Sequence, residues 1–72
     1  MTKIILRIFP SNRRGSFMSK EVDLGTNPAI AETIFKLCND IAPTTHKLAR
    51  GITYISNNEV LKNGETINVM PM

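Results

Sequence analysis

Cys38 and His46 are the only cysteine and the only histidine in the chain. A thiol and an imidazole together suggest nucleophilic or metal chemistry. Each also has a plainer role. Cys38 falls on an apolar stripe with helical spacing, where cysteine commonly serves as a small buried hydrophobe. His46 sits beside Lys47, with no carboxylate placed by the sequence to orient it, so it reads as an ordinary surface histidine. One cysteine cannot close an internal disulfide, and a structural zinc site takes about four ligands. A metal centre would then rest on carboxylates, and these do not cluster in the sequence. Arg13-Arg14 is the one basic doublet. It has the chemistry to grip a phosphate or an acidic partner patch, against the simpler reading of a solvated loop charge. Lys47 and Arg50 add basic character further on. The aromatic residues Phe9, Phe17, Phe35 and Tyr54 lack the spaced pattern on which single-stranded bases stack. No catalytic constellation, cofactor site or metal site emerges, and the chain is expected not to be an enzyme.

The elements that carry these residues must fit within 72 residues, a length for one domain spanning 1–72. A chain this short hides only about 60% of its unfolded surface, so its core is single and small. Hydrophobic residues make up 42% and charged residues 21%, enough apolar material for a folded rather than a disordered chain. No apolar run approaches the ~20 residues that cross a membrane. The opening MTKIILRIF carries charge inside its apolar run, unlike a signal peptide. A reducing, cytoplasmic setting is expected. The net charge of +3 permits nucleic-acid binding without requiring it, because Lys and Arg are spread along the chain.

Lys3 to Phe9 alternates with a period of two. Ile4, Leu6 and Ile8 lie on one face, with Ile5 and Phe9 on the other, as in a central strand. Pro10 to Gly15 is a turn or loop. Phe17 to Leu24 is a weaker strand whose apolar face is interrupted by Lys20, which marks an edge. Asn27 as cap and Pro28 in the first turn open a helix. Ile30, Ile34, Leu37, Cys38 and Ile41 form its apolar stripe, and Pro43 closes it near Asp40 to Ala42. Leu48 to Ile55 reads as a strand. Asn57-Asn58 suits a hairpin turn, and Glu59 to Leu61 a short return strand. Lys62 to Glu65 is a second turn leading into a last strand, Thr66 to Met70. The order is β-β-α-β-β-β.

That order, over about 70 residues, resembles the β-grasp, or ubiquitin-like, fold. The resemblance implies an α+β architecture with a mixed sheet of four to five strands and one helix packed across it. The first and last strands would run parallel in the centre. Locally, Leu61-Lys62-Asn63-Gly64-Glu65-Thr66-Ile67 is similar to the L-x-D/N-G-D/E-x-[VI] segment of the sulfur-carrier branch, which includes the molybdopterin-synthase small subunit and the thiamine sulfur carrier. Gly64 would allow a left-handed turn there, and Leu61 would anchor it in the core. Tyr54-Ile55-Ser56-Asn57-Asn58 stands where that branch often has a short V-N-G hairpin.

Carriers of that family end in Gly-Gly, because only residues without a β-carbon reach deep into the channel of an activating enzyme. Here the last residues are Pro71-Met72, one with a fixed φ and the other with a long side chain. The expectation is therefore a non-enzymatic, non-conjugated module that binds a protein partner by its sheet face, hairpin tip or strand edge. Accessory subunits of some bacterial multicomponent oxygenases, or small phage or mobile-element inhibitors, are examples of such a role. The partner-binding candidates are Ile5, Phe9, Phe17 and Tyr54 on the sheet, with Arg13 and Arg14 at the hairpin tip. The alternatives are a sulfur carrier or modifier with a lost or truncated diglycine tail, and a small basic nucleic-acid binder. No membrane association is expected. An exposed edge strand can also pair with a second copy of the chain.

Overall fold

The computed structural model describes residues 1–10 and 17–72. The strands are β1 (Thr2–Ile8), β2 (Met18–Gly25), β3 (His46–Arg50), β4 (Thr53–Tyr54) and β5 (Thr66–Pro71), with one helix, α1 (Ala31–Leu37), among the described residues. The architecture is α+β, a five-stranded mixed sheet in the order β2-β1-β5-β3-β4. β1 runs antiparallel to β2 and parallel to β5, with Leu6 opposite Ile67 and Ile8 opposite Val69. β5 runs antiparallel to β3, which forms a hairpin with β4.

The alternation of β1 does what its sequence predicts. Ile4 and Leu6 are fully buried, together with Ile67 and Val69 of β5. Val22, Leu24, Ala31, Ile34, Cys38, Ile41, Leu48 and Leu61 complete the cluster. β2 is an edge strand, as Lys20 within its apolar face suggests, and Lys20 Nζ lies 4.0 Å from Asp40.

The helix is shorter than its apolar stripe implies, at seven residues. It does not begin at Pro28 under an Asn27 cap. Ile30 is the N-cap, in extended conformation and without a side-chain capping bond. The cause is tertiary: the Ala29 carbonyl accepts the Leu61 N–H at 2.7 Å, and the Ile30 N–H turns back to the Pro28 carbonyl at 3.0 Å, so the chain bends at Ala29 before the helix starts. Asn27 instead bonds back to the Leu24 carbonyl through its backbone and side-chain nitrogens. At the other end the chain leaves the helix at Cys38, whose N–H still reaches the Ile34 carbonyl at 3.0 Å. Asn39 and Asp40 are poor helix formers, and Pro43 disfavours the α conformation at Ala42. Of the expected stripe, Ile34, Cys38 and Ile41 are buried and Ile30 is half-buried, whereas Leu37 is 45% exposed.

Two strand expectations are also corrected. Residues 48–55 do not form one strand: Gly51, with φ +65, makes a tight turn that separates β3 from β4, with Arg50 opposite Thr53. Glu59 to Leu61 is not a return strand, since the Leu61 N–H is spent on the Ala29 carbonyl and the Glu59 N–H on the Ser56 carbonyl. The turn before β5 is as expected. Gly64 has φ +82 and its N–H meets the Lys3 carbonyl at 2.7 Å, while Leu61 is buried beneath it.

Candidate functional site

The helix covers one face of the sheet, so the side chains that alternate away from it form an open face. On β1 these are Lys3, Ile5 and Arg7, followed by Phe9, whose N–H bonds to the Val69 carbonyl at 3.0 Å. Phe17 continues the β1–β2 register beyond Met18 and lies against Phe9. Their ring centroids are 5.3 Å apart and tilted by 36°, an offset geometry that aromatic pairs favour. The Arg7 guanidinium sits 5.0 Å above the Phe17 ring. Ile5 and Phe9 are half-buried, and Phe17 is 39% exposed. The sheet thus brings Ile5, Phe9 and Phe17 onto one surface.

Tyr54 shares this face by register, through Ala49, Asn68 and Arg7 in one row, but stands three strands away from Arg7. It lies on β4, at the opposite edge of the sheet from β2, and is 61% exposed. It pairs with Ala49, and the Lys47 ammonium rests 5.0 Å from the centre of its ring. The residues expected at the hairpin tip, Arg13 and Arg14, lie outside the described residues.

Sequence reasoning missed two features. The first is the cations that cover the rings. Arg7 shares the two-residue alternation of Phe9, so its place on that face was readable; the contact of Lys47 with Tyr54 needs the β3–β4 pairing, which the sequence reading lacked. The second is a groove of about 250 Å³ between α1 and the β3–β4 hairpin, lined by Phe35, His46, Lys47, Leu48, Tyr54 and Ile55 among others. It exists because Gly51 folds β4 back beside β3, placing Tyr54 and Ile55 across from the helix.

The groups with nucleophilic or acid–base potential stand apart. Cys38 is buried in the core, and burial, as the largest cause, pushes its thiol pKa up, away from the reactive thiolate. His46 is half-buried at the groove, with Nδ1 2.7 Å from the Thr45 hydroxyl. At the C-terminal end of β3, Arg50 bonds both Glu59 and Glu65, and Glu65 also accepts the Lys62 N–H at 2.9 Å. This guanidinium bond is the main reason that Glu65 is held below the usual carboxylate range. The arrangement fastens the chain before β5 and leaves no free acid–base pair there. Among the described residues no group of three or more metal-capable side chains converges, and no helix is long and apolar enough to cross a membrane. No protein-family model matches the sequence, and comparison with curated proteins finds no match.

Proposed function

We propose that this chain is a non-enzymatic, ubiquitin-like interaction module of the β-grasp type, which docks a protein partner on the open face of its sheet. The parallel pairing of β1 with β5 in the middle of the sheet, and α1 laid across one face, support the β-grasp comparison. The observation that carries the function is the Phe9–Phe17 pair with Arg7 above it, on the face that the helix leaves bare. Aromatic rings beside an arginine supply the rigid apolar area and directional charge that interface anchors use. The β2 edge is the weaker candidate, because Lys20, Glu21 and Asp23 guard it with charge. An accessory-subunit role in a larger assembly suits a small binding surface without catalytic groups of its own.

A photo-crosslinking residue, p-benzoylphenylalanine, placed at Phe17 in the source cell tests the assignment. The matched control places it at Lys36, exposed on α1. A discrete protein adduct is expected from position 17, absent from position 36 and lost when Arg7→Glu is added. Equal labelling from both positions, or none from position 17, refutes the docking face.

A further inference from the structure

The exposed apolar side chains at the other edge of the sheet form a second surface, distinct from Phe9 and Phe17. Ile52, in the turn between β3 and β4, is 99% exposed, and Tyr54 follows two residues later on β4. β4 is the terminal strand of the sheet, so its outer edge faces no other strand among the described residues. Unlike β2, it carries no charged side chain. Directly beside it lies the groove, floored by Phe35, Leu48 and Ile55 and rimmed by His46, Lys47 and Tyr54.

Size and charge decide what fits. Sites for free small molecules usually enclose about 300–1,000 Å³, and this groove, at about 250 Å³, is below that range. It is matched instead to one anchoring side chain of a larger partner. No carboxylate lines the groove, and Lys47 makes no ion pair among the described residues. Glu32 borders only the adjoining hollow, on the helix side of Phe35. The lining is therefore basic at its β3 rim, through Lys47.

We propose that the β4 edge and this groove together receive an extended segment of a protein partner. Its backbone adds a strand beside Thr53–Tyr54, one aromatic or branched apolar side chain seats over Phe35, Leu48 and Ile55, and a neighbouring carboxylate meets Lys47. Strand addition supplies affinity through main-chain hydrogen bonds, while the groove and Lys47 set sequence preference. The two-residue length of β4 is too short to hold a strand by backbone alone, so the anchor side chain is required.

The test pans a random linear 12-residue peptide library against the intact protein and maps an enriched peptide by backbone amide chemical shifts. The expected consensus has an aromatic or branched residue with Asp or Glu within two positions. The shifts are expected at Phe35, His46 to Leu48 and Thr53 to Ile55. Lys47→Glu should weaken the peptide about fivefold, and exchanging the peptide carboxylate for lysine should recover the loss. Absence of any enriched peptide, a consensus without acidic residues, or no change with Lys47→Glu overturns the proposal. Shifts confined to Phe9 and Phe17 overturn it too, while supporting the other docking face. Concentration-dependent dimerisation that perturbs the same groove residues assigns the surface to a second copy of the chain and likewise overturns it.

Discussion

Arg50 shows how one side chain can organise a segment without regular structure. It binds Glu59 and Glu65 at once, and Glu65 is further tied to the Lys62 N–H. The Arg50 hydrogen bond is the largest cause of the lowered Glu65 pKa, ahead of the opposing effect of burial. A carboxylate with a depressed folded pKa binds fewer protons folded than unfolded. Its stabilisation is fully present above the unfolded value of about 4.3 and is lost as pH falls through the folded value. Glu65→Gln should therefore lower the urea midpoint at pH 7, and the two proteins should converge as the solution is acidified below about pH 4. Parallel midpoint-versus-pH curves for the two proteins would show that Glu65 contributes nothing through its charge.

At the scale of elements, what was legible was what local pattern dictates. The alternation of Ile4, Leu6 and Ile8 defines β1, Lys20 within an apolar face marks β2 as an edge, and the Asn63-Gly64 turn delivers β5. The boundaries of α1 were not legible, because they are set by contacts from far along the chain. Leu61 takes the Ala29 carbonyl that an earlier helix start would have used. The β3–β4 turn was legible in principle at Gly51, but the apolar run around it reads as one continuous strand. Of the candidate site, Ile5, Phe9 and Phe17 were legible from alternation alone; the separation of Tyr54 was not, since strand order decides it. The short helix gives a sharp test of its corrected stripe. Ile34→Ala, at a fully buried position, should cost about 2–5 kcal/mol. Leu37→Ala, at an exposed one, should change stability by less than about 0.5 kcal/mol in chemical denaturation. Equal losses at the two positions would restore the longer helix.

For the whole molecule, β5 is the strand that joins two otherwise separate hairpins, lying between β1 and β3. Its Ile67 and Val69 are fully buried, so an unpaired charge there breaks both halves of the core together. Val69→Asp is expected to abolish the cooperative thermal transition seen by circular dichroism, leaving neither hairpin folded alone, since isolated hairpins are marginal in water. A residual cooperative transition would mean that one hairpin and the helix form an independent unit. The same position of β5 has a consequence for biosynthesis. The ribosome releases β1 and β2 first, yet β1 meets its central neighbour only after some sixty further residues have been made. Until then Ile4 and Leu6 are without their closing partners, so the nascent polypeptide keeps a sticky inner flank until β5 has emerged.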